Sequence, residues 1–160
     1  MASHDHCFAF EADFTRDLRC IPMAVRRKLD LAGVKLKLVH WHGLQPLERH
    51  QLLACSDDPA AIANLRAWLL ERSRTLPEGP AKPLEPARGC DWQEGMSPPA
   101  VLIESCQQLG LGLREEGWQS LTELQRFALV KLSHPGHEHR NLPRALEEFG
   151  LLPDEPGPEN

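Results

Sequence analysis

Apolar residues recur along the chain at helical spacing, and one stretch of that pattern is written twice. Gly33-x-x-Leu36-x-x-x-x-Trp41-x-x-Leu44-x-x-Leu47-x-Arg49-x-x-Leu52 returns as Gly110-x-x-Leu113-x-x-x-x-Trp118-x-x-Leu121-x-x-Leu124-x-Arg126-x-x-Leu129. The seven identities keep a constant offset of 77 residues. A one-residue slip carries the match back to Pro22-x-Ala24-Val25 against Pro98-x-Ala100-Val101. Such a period marks a duplicated supersecondary unit whose apolar face needs a neighbour to cover it. The expectation is an all-α protein: two tandem three-helix repeats forming one pseudo-symmetric helical domain over residues 1–160.

Local signals place the elements. Pro22 suits a helix start, Met23 to Ala32 follows it, and Gly33 supplies the stop. Residues 33–43 form a connection carrying Leu36, Leu38 and Trp41 inward, and a second helix runs from Pro46 to Cys55. Asp57-Asp58-Pro59 is helix-start chemistry, and the next helix buries Ile62, Leu65, Trp68 and Leu69. In the second copy, Ser97-Pro98 opens a helix that reaches Leu109 before Gly110. Ser120-Leu-Thr-Glu123 is a capping box for a helix over 121–132, and a last helix spans Pro143 to Phe149 before Gly150.

Repeat one is placed at 20–73 and repeat two at 96–151. Residues 74–95, with four prolines and three glycines, read as an extended, partly mobile linker. Phe8, Phe10, Ala12 and Phe14 alternate with Ala9, Glu11 and Asp13, which suggests an extended N-terminal arm packed on helices. Pro153, Pro156 and Pro158 predict a disordered tail over 152–160.

Composition narrows the function classes. A hydrophobic content of 41% supports a modest core, and a net charge of −5 argues against nucleic-acid binding, which needs a basic footprint. No apolar run approaches about 18 residues, so no membrane span is expected. The first residues lack the basic and apolar regions of a secretory signal. Cys7, Cys20, Cys55, Cys90 and Cys106 are odd in number and widely spaced, which fits reduced thiols and a cytoplasmic location. No Cys-x-x-Cys pair is present, so a structural zinc site or iron–sulfur cluster is not expected.

Several groups could carry chemistry, and each has a plainer reading. His134-Pro-Gly-His137-Glu138-His139-Arg140 is the densest titratable cluster, open to three roles: helix-end loop, partner contact, or metal ligation. Ala2-Ser3-His4 resembles a terminal copper or nickel chelator, which short termini form adventitiously. His40-Trp41-His42 has no carboxylate beside it, and the repeat explains Trp41 and Trp118 as core. Arg49 and Arg126 share one register, where carboxylate pairing or helix capping is expected and anion binding is the alternative. Cys20, in the apolar run Cys20-Ile21-Pro22-Met23, is expected to be a buried thiol. Arg16, Arg19, Arg26, Arg27, Lys28, Lys35 and Lys37 face only Asp17 and Asp30. From this excess, Arg19, Arg26, Arg27, Lys28 and Lys35 are candidates for a docking face toward an acidic partner, and a solvated helix face is the alternative. No catalytic serine or cysteine constellation and no phosphate-cradling glycine loop is present.

Phe8-x-Phe10-Glu11-x-x-Phe14 leads into Leu18-Arg19-Cys20-Ile21-Pro22-Met23-x-Val25-Arg26-x-Lys28-Leu29-Asp30, and Gly33-x-Lys35-Leu36 and Trp41 follow. In the second half stand Leu124-Gln125-Arg126-Phe127-Ala128-Leu129-x-Lys131-Leu132-Ser133, Gly136-His137-Glu138 and Ala145-Leu146-x-Glu148-Phe149-Gly150-Leu151. In these strings the chain resembles the conserved nitrate reductase-associated protein family. His139-Arg140 departs from the pattern by adding positive charge after His137-Glu138.

The resemblance implies an accessory or maturation factor, not an enzyme, that binds a cytoplasmic molybdenum-cofactor-dependent assimilatory nitrate reductase or its cofactor-delivery machinery. It implies no resident cofactor and no catalytic residues. The docking face and the loop residues His137, Glu138 and His139 are the candidate contacts. The alternative is a small metal- or cofactor-binding protein using the His137 region or Cys20.

Overall fold

Phe8 begins the ordered core, and the segment after it coils instead of extending. The computed structural model describes residues 6–134 and 139–153, with His139 described in its backbone alone. A 3-10 turn at Ala9–Glu11 is followed by α1 (Ala12–Thr15) and a second 3-10 turn at Arg16–Leu18. The predicted extended arm is therefore corrected to helical turns. The alternation misled because the buried positions are Phe8, Phe10, Glu11, Thr15 and Leu18, while Ala12 is exposed and Phe14 only half-buried. From Glu11 onward the buried spacing is four then three, a helical period. Glu11 plays a structural part, because its carboxylate accepts from the Met23 backbone N–H at 3.3 and 3.4 Å, where Pro22 offers no capping side chain.

The chain divides into two compact units between Arg88 and Gly89. In the first, α2 (Met23–Ala32) is followed by β1 (Val34–Lys35), α3 (Leu38–Gly43), α4 (Pro46–Ala54) and α5 (Pro59–Ser73). Asp58 caps α5 through the Ala61 N–H at 2.9 Å, as its position before Pro59 suggests. Val25, Leu29, Trp41, Leu44, Leu65 and Leu69 lie in the core. Trp68 does not join them. It is 38% exposed, although its spacing from Leu65 and Leu69 predicted burial.

The proline-rich stretch after α5, expected as an extended and partly mobile linker, packs in part on this unit as a strap. Leu76 and Ala81 are buried, and β2 (Lys82–Pro83) pairs antiparallel with β1, so the fold is mostly but not wholly helical. Beyond the ladder, Leu84 N–H donates to Gly33 O at 2.7 Å and Ala87 N–H to Asp30 O at 2.9 Å. Prolines are tolerated here because an edge strand need not donate from every residue.

In the second unit, Trp92 is buried and meets the Phe127 ring edge-on at 5.1 Å. There follow α6 (Ala100–Gln108), a 3-10 turn at Glu115–Ser120, α7 (Glu123–Leu132), a 3-10 turn at His139–Asn141 and α8 (Leu142–Glu148). Leu102, Trp118, Leu124, Phe127, Leu129 and Leu146 are fully buried.

The capping box of α7 is Thr122 with Gln125, not Ser120 with Glu123. Thr122 Oγ1 accepts from Gln125 N–H at 3.1 Å and Gln125 Oε1 from Thr122 N–H at 2.9 Å. Ser120 instead ends the preceding 3-10 turn, in which Trp118 is buried and after which Leu121 is buried. Pro22 and Pro99 sit in the N-cap positions of α2 and α6, so these helix starts keep the 77-residue offset without the slip to Pro98.

Gly33 and Gly110 both end a helix in the left-handed region, with φ of 73° and 69°. They differ in surroundings: a Cβ on Gly33 would strike Leu84 O, the Arg66 guanidinium and Pro86 N, whereas nothing lies within 4 Å at Gly110. Gly110→Ala should cost only the backbone term, about 1–2 kcal/mol. Gly33→Ala should exceed it, because the strap must also shift. Urea denaturation of the two variants checks this, and equal losses would mean the strap is not tightly seated.

Candidate functional site

The helices around α3 are short, so many of their last carbonyls have no partner within the helix. Side chains supply the missing donors. Arg49, on α4, donates from Nε to Trp41 O at 3.1 Å and from Nη2 to His42 O at 3.2 Å and Leu44 O at 2.9 Å. Arg126, on α7, donates from Nη1 to Leu121 O at 2.7 Å and from Nε to Trp92 O at 3.0 Å. Both arginines thus cap the end of the tryptophan-bearing turn before their own helix.

The ring side chains of α3 bind backbone in the same way. Trp41 Nε1–H donates to Leu18 O at 2.6 Å, next to two consecutive left-handed residues, Asp17 and Leu18, with φ of 55° and 54°. Such backbone is strained for side chains other than glycine and persists only when its surroundings hold it. His42 Nε2 donates to Arg19 O at 2.8 Å and His40 Nε2 to Gly79 O at 2.9 Å. His40 Nδ1 accepts from Lys37 N–H at 3.0 Å, which fixes the neutral tautomer with its proton on Nε2. In the second unit, Trp118 Nε1–H points to Glu94 O at 3.4 Å. Trp41 and Trp118 are both wholly buried.

The predicted basic face is only partly a face. Lys28 is buried and its Nζ donates to Leu53 O at 2.7 Å and Leu52 O at 3.1 Å, closing the end of α4. Arg27 is buried and pairs with Asp57 at 2.8 Å. These two are corrected: burial takes them out of reach of a partner. Arg26 is half-buried with Nε on Ile21 O, whereas Arg19 and Lys35 are exposed. Cys20 is half-buried rather than buried, and Cys106 is the buried thiol, its pKa raised by that burial. His137 and Glu138 lie outside the described residues, as does the His139 side chain. Among the described residues, no three His, Cys, Asp or Glu side chains come together as a metal site.

A surface feature that the periodicity concealed lies between α4 and α5. A groove of about 370 Å3 is lined by Leu52, Cys55, Leu65 and Trp68, with Gln51 and Asn64 at its polar side. Leu47, one turn from Gln51 on α4, is 68% exposed. Glu48 closes one end in a two-pronged contact with Arg72, Nε to Oε2 at 2.8 Å and Nη2 to Oε1 at 3.1 Å. Glu48 Oε1 also accepts from Gln45 N–H at 2.8 Å, completing the cap of α4. The Arg72 hydrogen bonds hold the Glu48 carboxyl below its ordinary value of 4.5, with the Gln45 amide assisting against the opposing effect of burial. The sequence signal for the groove was Trp68, which stands one residue before the buried Leu69 and so about 100° around α5 from it.

These features define a small, mostly helical protein of two compact units with an apolar groove on the first. No described helix is long and apolar enough to cross a membrane. The chain belongs to the conserved nitrate reductase-associated protein family, whose pattern it matches over residues 7–149. Comparison with curated proteins and with solved structures gave no match.

The Glu48–Arg72 contact gives the groove a pH signature. A carboxyl whose pKa is lowered by folding adds stability that is present above its unfolded value. That stability is lost as pH falls through the folded one. Glu48→Gln should therefore lower the melting temperature at neutral pH, and the gap to the wild type should close as pH is taken below 4.5. A thermal melt series across pH checks this, and a constant gap would mean that the charge of Glu48 plays no part.

Proposed function

We propose that the protein is an accessory factor that binds and enables a cytoplasmic molybdenum-cofactor-dependent assimilatory nitrate reductase, with no turnover of its own. Family membership across residues 7–149 is the observation that carries this reading. The titratable side chains described above support it further, since the histidines, arginines and lysines of α2 to α4 are largely spent on backbone carbonyls. The reductase, or the machinery that delivers its cofactor, is the partner in this reading.

The contact is assigned to the α4–α5 groove, with Trp68 and Leu47 as anchors. Exposed tryptophan beside an apolar cleft is the kind of residue that dominates interface energetics. Arg19 and Lys35, the exposed members of the basic set, act as steering charges toward the acidic surface of the partner. We also read the two units as copies of one element. In support, the Leu44 and Leu121 carbonyls, the capped starts of α4 and α7, and the left-handed glycines all recur at one offset.

A strain lacking the protein should lose nitrate reductase activity, and the wild-type gene should restore it. Complementation with Trp68→Asp should fail, with affinity for the reductase lowered about ten-fold or more, because such anchors contribute about 2 kcal/mol. Arg19→Glu with Lys35→Glu should slow association in a salt-dependent manner and leave helicity unchanged. Normal reductase activity in the deletion strain would overturn the accessory role. Full complementation by Trp68→Asp would remove only the groove.

A further inference from the structure

A second cavity, apart from the α4–α5 groove, lies where the strap crosses the end of α2 and the start of α5. It measures about 460 Å3, within the size range of small-molecule sites. Leu31, Ile62, Ala63 and Pro86 give it apolar walls, and Arg66 and Arg88 bring two guanidinium groups from separate segments.

Arg66 is held in place before any ligand arrives. Its Nη1 donates to Ala32 O at 2.9 Å, Gly33 O at 2.8 Å and Leu84 O at 3.0 Å, so the side chain is fixed by three backbone oxygens. A pre-fixed arginine loses little further entropy on binding, which favours affinity. The close approach that makes this clamp possible is the missing Cβ of Gly33.

The other charges around the cavity are already accounted for. Asp57 lines it, but its carboxylate pairs with the buried Arg27 at 2.8 Å. The start of α5 is occupied by its own cap, Asp58 accepting from Ala61 N–H at 2.9 Å. The Arg88 guanidinium and the Nε and Nη2 of Arg66, whose Nη1 is taken by the three carbonyls, are therefore the donors that remain for a guest.

We infer that this cavity binds a small organic carboxylate, its head on Arg66 and Arg88 and its hydrocarbon body against Leu31, Ile62 and Ala63. A planar guanidinium matches a planar carboxylate through two parallel hydrogen bonds. The apolar walls favour a ligand with a carbon skeleton over a bare inorganic ion. Asp57 in the wall disfavours a doubly charged phosphate relative to a single carboxylate.

Calorimetric titration of the full chain with butyrate, succinate and benzoate tests this, with butyramide, phosphate and chloride as comparators at matched ionic strength. At least one carboxylate should give a saturable isotherm at millimolar concentration, and butyramide should give none. Arg88→Gln should weaken binding about ten-fold or more, the worth of a hydrogen bond to a charged group. Ala63→Phe should fill the cavity and abolish binding, and both variants should keep the wild-type melting temperature because neither residue holds the fold. Failure of all three carboxylates would overturn the inference. So would equal binding of butyramide or phosphate, or unchanged affinity in Arg88→Gln.

Discussion

Short helices leave backbone carbonyls unpaired, and satisfying them is the constraint on which this structure turns. A six-residue helix such as α3 has more orphan groups at its ends than hydrogen bonds within it. Burying such an end without donors is costly, since an unpaired buried acceptor loses about 1–3 kcal/mol. The chain meets the demand with long cationic and ring side chains: Lys28 for α4, Arg49 for α3, Arg66 for α2, and Arg126 for the turn at 115–120. His40, Trp41 and His42 do the same from α3 outward, each to a carbonyl of a different residue.

This division of labour explains what could be read from sequence. Helix starts and stops were legible because they depend on neighbours a few residues away: Pro22, Asp58, Gly33 and Gly150 all act where local chemistry places them. Trp41 and Trp118 were legible as core because the same spacing occurs twice. What could not be read was which side chain reaches which distant carbonyl. Lys28 and Arg27 look like surface charge in a linear reading, since nothing local shows that the end of α4 and Asp57 lie beside them. The strap was hidden for the same reason. Its prolines and glycines signal irregular backbone, but its destination is set by Gly33, some fifty residues earlier.

Gly33 joins these themes in one residue. Its left-handed backbone ends α2, its carbonyl takes both Leu84 N–H and Arg66 Nη1, and its absent side chain admits the strap. Gly110 shares the letter and the dihedral angle but ends its helix in open space. Identical residues in the same register therefore do unequal work. The repeated pattern specifies where helices end, and the surroundings decide what the ending supports.

Leu47 and Leu124 show the same principle acting on a surface. The first is 68% exposed and the second wholly buried, although both belong to the repeated pattern. The difference lies in the residues three and four places on. Phe127 and Ala128 widen the apolar stripe of α7, so that helix is covered by Trp92 and α8, whereas His50 and Gln51 keep the matching face of α4 polar. A leucine bordered by polar positions gains nothing from turning inward, and within its own unit it stays at the surface. Lying one turn from Gln51 and the groove that holds Trp68, it leaves α4 with an apolar edge that the packing of its own unit does not cover. A surface already satisfied internally has little free energy to offer a partner, so this edge is where the accessory role proposed above would draw its contact energy. Of the two helices that carry the recurring sequence pattern, α4 is therefore the one that keeps apolar surface uncovered within its unit.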